Sequence, residues 1–312
     1  MSVKSSNSGT PFSQLAPGLV LVAVALVWGS SFTLTKDLLA RLPALDFLGL
    51  RFGIAAVLGA VALLPRLRRA DAGTWGRGLA LGGIYGVSQV LQTYGLERAS
   101  ASVSGFLTAL YVVGTPLVAW MLWRIRPARS TLLAVLLALA GAAVLGLSGL
   151  HVGLGELLLV GGAVGYSFHV ALMGRWSVGR DAMALGAIQM IALGVLHLLL
   201  ALPGGVVLPQ GPREWGLLLF LSVVVGLVAL LGQTWAQAHM EAARAAVIMA
   251  LEPVFSAAFA VVLGGEPVTV RLLVGGSLIF AASVVAELAP LIRRRRLVAD
   301  LRALGTSAPT YG

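Results

Sequence analysis

Long apolar runs separated by short polar breaks dominate the chain. The runs lie at about 19–35, 44–64, 76–96, 101–122, 131–148, 155–174, 183–202, 214–235, 245–264 and 271–289. Each is close to the roughly 20 residues a helix needs to cross ~30 Å of hydrocarbon. The breaks pair turn formers with charges: Leu42-Pro43, Pro65-Arg66, Arg126-Pro127, Gly179-Arg180, Pro203-Gly204-Gly205, Pro212-Arg213 and Glu266-Pro267. Apolar residues inside the runs do not alternate, which argues against the strands of a membrane barrel. The pattern predicts an all-α integral membrane protein of ten transmembrane helices. Ala23-Val24-Ala25 in the first run resembles a signal-cleavage site. That run lacks a charged segment directly before it, however, and more membrane follows, so it reads as the first helix.

Composition narrows the class. Hydrophobic residues make up 58% of the 312 and charged residues 11%, against about 25% charged in soluble domains. A soluble enzyme, a disordered chain and a coiled coil are excluded. Cysteine is absent, so there is no disulfide, thiolate metal site or cysteine nucleophile, and neither a metal nor a cofactor is expected. The net charge of +10 sits between the apolar runs rather than on a domain of its own. It records orientation and not nucleic-acid binding. With ten spans, the side of the N-terminus collects 16 lysines and arginines and the opposite side 5, with Arg51 inside a span. Both termini are therefore expected in the cytoplasm, residues 1–16 as a disordered tail and 291–312 as a basic one.

The two halves resemble each other. Trp75-Gly76 recurs as Trp215-Gly216, and Gln92-Thr93-Tyr94 as Gln233-Thr234-Trp235. Ala109-Leu110-Tyr111 aligns with Ala250-Leu251-Glu252, and Arg126-Pro127 with Glu266-Pro267. Arg51 meets Gln189, and Ser31-Phe32 meets Ser167-Phe168, at offsets drifting only from 136 to 141. Residues 17–150 and 151–290 thus read as two five-helix repeats. Five is odd, so the second repeat enters the membrane inverted. Inverted repeats are a device of secondary transporters that expose one site to each side in turn.

Particular residues also resemble a known family. Trp28-Gly29-Ser30-Ser31-Phe32, Gly105-Phe106-Leu107-Thr108-Ala109-Leu110-Tyr111, Ala250-Leu251-Glu252-Pro253-Val254-Phe255 and Leu263-Gly264-Gly265-Glu266-Pro267 are similar to the EamA family of the drug/metabolite transporter superfamily. The resemblance covers about residues 17–290. It implies a multi-pass carrier of the bacterial inner membrane with a central cavity, often an exporter of amino acids or related metabolites.

Candidate transport residues follow from polarity within the runs. Glu252 lies about 12 Å beyond Arg244 along a helix, near mid-membrane, where an ionisable side chain costs roughly 2.5–3.5 kcal/mol if it faces lipid. It reads as a proton-coupling carboxylate, an anchor for a substrate amine, or a helix–helix hydrogen bond beside Pro253. Arg51 reads as a clamp for a substrate carboxylate or as a side chain snorkelling to the outer interface. Its depth differs from that of Glu252 by roughly 10 Å, which leaves a pair between them open. Gln92, Gln233 and Gln189 suit a site shared by both halves, or interhelical hydrogen bonding. Tyr111 is the counterpart of Glu252. Trp28 and Tyr166 lie too deep for an interfacial belt, whereas Tyr94 and Trp235 fit either a belt or stacking on substrate. His169 shares the Tyr166 face, and His197 reads as structural. Ser31, like Ser30 and Ser167, could meet substrate or its own helix backbone.

Small-residue stripes at Gly78, Gly82 and Gly86, and at Gly161 and Gly165, predict close helix packing. Runs five and ten, nearly free of polar groups, leave faces for lipid or for a second copy in a homodimer. The expected partners are thus the bilayer and a small-molecule substrate. A drug permease or a lipid flippase on the same fold is the alternative. An integral-membrane transferase lacks its carboxylate or histidine constellation, and a nucleotide-driven pump its phosphate loop.

Overall fold

The computed structural model describes residues 11–124, 126–127, 129–148, 151–177, 179–238 and 248–285. The tail expected over 291–312 and the first ten residues of the one expected over 1–16 lie outside them. The helices are α1 (Pro11–Leu39), α2 (Ala44–Ala62), α3 (Leu64–Leu67), α4 (Ala72–Arg98), α5 (Ala101–Thr108), α6 (Tyr111–Trp123), α7 (Arg129–Gly146), α8 (Leu154–Trp176), α9 (Ala182–Ala201), α10 (Pro212–Leu219), α11 (Ala229–Ala238), α12 (Glu252–Val262) and α13 (Val270–Val285). A π-helix, Phe220–Val228, joins α10 to α11, and Leu147–Ser148 pairs antiparallel with His151–Val152. One expectation is corrected at the start of the chain. Among the described residues Pro11–Ala16 is helical rather than tail, continuous with the apolar run that follows.

Among the described residues six helical stretches are long and apolar enough to cross a membrane: Ala16–Leu39, Ala44–Ala62, Ala101–Trp123, Leu154–Trp176, Ala182–Gly204 and Pro212–Gln233. Arg129–Leu145, Glu252–Val262 and Val270–Val285 are shorter apolar helices. At 27 residues α4 has the length without that apolarity. It packs against both α8 and α9, so protein rather than lipid surrounds its Ser88, Gln89, Gln92 and Thr93.

Two runs that read as single helices are interrupted. The fourth breaks at Ala109-Leu110, between α5 and α6, and the ninth at Ala250-Leu251, just before α12. Both interruptions tighten in the same way. Leu110 N–H donates to the Leu107 carbonyl at 3.2 Å, and Leu251 N–H to the Ile248 carbonyl at 3.1 Å. At the second break, Pro253 has no N–H for the preceding turn.

Around this, α2 packs on α9, α1 on α11 and α12, α8 on α5 and α6, and α5 on α12. Phe47, Phe52, Leu193, Leu218 and Leu221 form the largest core cluster. The α4–α9 contact depends on the expected glycine stripe. Gly78, Gly82 and Gly86 press against Ile188, Ala192 and Leu196. On α8 the tight positions are Gly155, Gly162 and Gly165 rather than Gly161, whose neighbour Leu91 leaves ordinary contact space. A Cβ at Gly82 would stand 2.5 Å from the Ala192 Cβ and 2.8 Å from the Gln189 carbonyl oxygen, and a backbone atom cannot give way cheaply. Gly82→Val is therefore expected to destabilise the protein by about 1–3 kcal/mol or more, read as a lowered melting temperature in detergent. Gly83→Val, which meets nothing within 4 Å, should leave the melting temperature unchanged.

The outermost helices are α7 and α13, with Leu132, Leu133, Leu136, Leu139, Leu273 and Val274 exposed. They meet each other where Gly141 approaches the Gly275 carbonyl.

Polar contacts tie the loops at the two ends of the bundle. At one end Arg66 pairs with Asp181 at 2.8 Å, and Asp71 caps α4 through Thr74. The Thr74 hydroxyl and N–H hold the Asp71 carboxyl below the usual carboxylate range. At the other end Arg41 pairs with Glu214 at 3.0 Å and Arg213 with Asp37 at 2.9 Å, and Val207 N–H donates to Asp46 at 3.0 Å. Exposed pairs contribute little stability; their value here is to show which connections meet.

Candidate functional site

A cavity of about 660 Å³ lies between the helices, bordered by both interrupted ones. It is of the size that takes a small metabolite. Trp28, Ser31, Arg51, Gln92, Tyr111, Tyr166, His169, Gln233 and Glu252 all line it. Gln189 does not, but it holds a residue that does: its side-chain oxygen is 2.6 Å from His169 Nε2. The Gln189 amide nitrogen donates to the Leu185 carbonyl at 3.3 Å. This fixes the oxygen toward the imidazole and makes His169 Nε2 the donor.

The basic wall is built on α2. Arg51 is 8% exposed, so the interface-snorkelling reading does not hold. Packing of α9 and the π-helix over α2 keeps the side chain inside. Arg51 Nε donates to the Leu221 carbonyl at 3.3 Å, and the guanidinium lies 5.0 Å from the Phe52 ring centre and 5.8 Å from that of Phe47. The π-helix also places the Val225 carbonyl on Trp28 Nε1, at 3.0 Å. Such widened turns occur mostly at functional sites; this one presents two carbonyls to two cavity residues.

The acidic wall comes from α12. Glu252 is its first residue, so the helix dipole favours a negative charge there. No described residue makes an ion pair or hydrogen bond with its carboxylate, and Arg51 is not its partner. Tyr111 opens α6 in the same way. Each interrupted helix thus offers the first residue of its second segment to the cavity.

Between these walls runs an aromatic ladder. Tyr85 stacks on His169 with ring centres 4.9 Å apart and meets Tyr166 edge-on at 5.5 Å and Phe52 at 6.5 Å; Tyr166 in turn meets Tyr111 at 6.4 Å. Gln92 is tied down: it donates to Thr108 Oγ1 at 3.0 Å and accepts from the Tyr166 hydroxyl at 2.9 Å. Ser31 donates to the Trp28 carbonyl of its own helix at 2.6 Å, whereas Ser167 is 2.8 Å from the Ala163 carbonyl of its own helix and 3.4 Å from the Tyr111 carbonyl of α6. His197 is fully buried, 3.1 Å from the Gly86 carbonyl and stacked on Phe52, in keeping with a structural role. Tyr94 lies under Arg98 and Trp235 is exposed; neither lines the cavity.

Comparison with known proteins now places the chain. The profile of the EamA-like transporter family matches residues 16–147 and again 153–287. The chain belongs to the EamA-like transporter family. An uncharacterized transporter of Archaeoglobus fulgidus is 28% identical over 287 residues, covering 92% of this chain and 90% of that one. The uncharacterized transporter YvbV of Bacillus subtilis is 27% identical over 274 residues, 82% of this chain and 87% of its own. A crystal structure at 23% identity superposes with a TM-score of 0.63, covering 89% of this chain and 98% of the other; it shares the fold.

The EamA-like cavity also holds residues that sequence reasoning passed over: Thr35, Phe52, Tyr85, Gln89, Thr93, Thr108 and Met190. A signal for the α4 members existed. Once Gly78, Gly82 and Gly86 are assigned to the α9 contact, positions 85, 89, 92 and 93 fall together on the adjoining face.

Proposed function

We propose that this EamA-like protein is a secondary-active transporter of the bacterial inner membrane that moves small zwitterionic metabolites, amino acids or their relatives, outward by alternating access. The observation that carries the reading is the cavity itself. It presents a guanidinium and a carboxylate that has no partner among the described residues, on separate helices, within a lining otherwise made of aromatic, aliphatic, hydroxyl and amide side chains and one imidazole. An ionisable residue inside a membrane protein marks a substrate or ion path unless a partner explains it. A zwitterion matches both groups at once, its carboxylate adding to Arg51, whose Nε already donates to the Leu221 carbonyl, and its ammonium pairing with Glu252. The aromatic ladder then receives the side chain.

Two inverted five-helix repeats, together ten spans with both termini in the cytoplasm, complete the proposal. Several features support it. The family profile matches the chain twice. Exchanging the halves turns the α4–α8 contact into α11–α1 and the α1–α12 contact into α8–α6, while α2–α9 maps onto itself. Both interruptions fall at matched Ala-Leu pairs. The ionic ties exchange as well: α3, between α2 and α4, meets the α8–α9 connection at one end, and the first turn of α10, after α9, meets the α1–α2 connection at the other.

The test is counterflow in proteoliposomes with a panel of amino acids, amines, carboxylates and sugars, with and without a pH gradient. Saturable exchange of a zwitterion is expected, with the matching amine and carboxylate weaker. Exchange confined to uncharged solutes, or scrambling of lipid in place of solute exchange, would refute the reading.

A further inference from the structure

At one end of the cavity two charged side chains clamp the α4–α5 turn. The α4–α5 turn is held from two sides. Lys36, near the end of α1, donates to the Leu96 carbonyl at 2.9 Å and to the Ala99 carbonyl. Glu266, in the connection after α12, accepts from the Ala101 N–H at 2.6 Å, the Ser102 N–H at 3.3 Å and the Ser102 hydroxyl. A cation thus sits on the last carbonyls of α4 and an anion on the first N–H groups of α5, each the charge that its helix end favours. The two also attract each other. Thr35, Thr93 and Leu96, which border the clamp, line this end of the cavity. The clamp joins three connected parts, α1 and the α4–α5 turn from the first half and Glu266 from the second. Opening the cavity between these parts would require separating them.

Matched positions in the other half carry no such groups. Arg126 stands where the second half has Glu266, and at the offset of Ser31 and Ser167 the counterpart of Lys36 is Leu172. An arginine cannot accept from helix N–H groups, and a leucine cannot donate to carbonyls. The cavity lining continues toward that end through Thr131, Met173, Gly174 and Ser177.

We propose that Lys36 and Glu266 form a one-sided latch that holds the carrier shut at the α4–α5 turn and sets its resting state open toward the cytoplasm. The proposal rests on the carrier reading above. It makes the two nearly equivalent half-chains unequal in energy, so that an empty carrier waits where an exported solute would enter.

The chain has no cysteine, so a single introduced thiol reports alone. Thr93→Cys, under the latch, and Ser177→Cys, at the opposite end, are made separately and treated with a membrane-impermeant maleimide from each face. With the latch intact, Ser177→Cys should react from the cytoplasmic face and Thr93→Cys from neither. Adding Glu266→Gln or Lys36→Gln should raise outer labelling of Thr93→Cys at least about tenfold and slow labelling of Ser177→Cys. Unchanged rates in both variants would overturn the latch. So would a rise at both positions together, which is loosening and not a switch of sides. Counterflow in the same proteoliposomes separates this from the parent reading. Unchanged labelling with intact exchange removes the latch alone, whereas switched sidedness without exchange of any solute removes the carrier and keeps the gate.

Discussion

Glu252→Gln is expected to lower exchange of a zwitterionic solute at subsaturating concentration by about 30-fold or more while leaving the protein folded. Removing one member of a desolvated charge pair costs roughly 2–5 kcal/mol of binding, and about 1.4 kcal/mol is a factor of ten. In the empty protein Glu252 has no partner among the described residues. The substitution therefore removes the carboxyl without breaking an ion pair or hydrogen bond to any described residue, and the melting temperature of the solute-free protein should hold or rise. That combination distinguishes a ligand group from a packing group. A hydrogen-bonding role between helices would instead lower the melting temperature along with the activity. Wild-type exchange in the variant would take Glu252 out of the transport path.

Arg51→Met makes the complementary prediction. Methionine fills much of the same space beside Phe47 and Phe52 but removes the cation held by the Leu221 carbonyl and the two rings. Affinity for a substrate carboxylate should fall about 100-fold, the lower-middle of the range for breaking a desolvated, hydrogen-bonded charge pair. Esterified substrate discriminates the cause. The wild type should prefer the free acid strongly over its methyl ester, and Arg51→Met should treat the two nearly alike. Arg51→Lys keeps the charge but not the planar fork that matches a carboxylate, so it should fall between them. Equal preference for acid and ester in the wild type would mean that Arg51 holds the π-helix and nothing more.

Both side chains were visible in the sequence because charge inside an apolar run is rare and costly. Where each one points was less legible. Arg51 lies close to the beginning of its run, and counted along the chain it could reach the interface. Its burial is decided by α9 and the π-helix, which come from the other half. Neither interruption at Ala109-Leu110 or Ala250-Leu251 leaves a mark on hydropathy, since alanine and leucine are good helix formers. Only Pro253 hinted at the second. The π-helix over Phe220–Val228 is apolar but for Ser222, and a change of hydrogen-bond register has no compositional trace. Tyr85 went unnoticed because tyrosines in membrane helices usually belong to interfacial belts, and its depth depends on how α4 sits between α8 and α9. Lys36 and Glu266 were read as an orientation charge and a loop signature, and their joint grip on one turn exists only in three dimensions. Periodicity and internal similarity, which are local or pairwise along the chain, were readable. Features created by helices from different halves were not.

The inversion of the halves is tested most directly by the sidedness of matched exposed positions. Ala72, before the first Trp-Gly pair, and Gln210, before the second, are both exposed, and each can be made the only cysteine in the chain. Impermeant labelling should reach Ala72→Cys only from the face that bears the termini, and Gln210→Cys only from the opposite face. Labelling of both from the same face would mean that the halves run in the same direction, and the two-sided site proposed here could not exist.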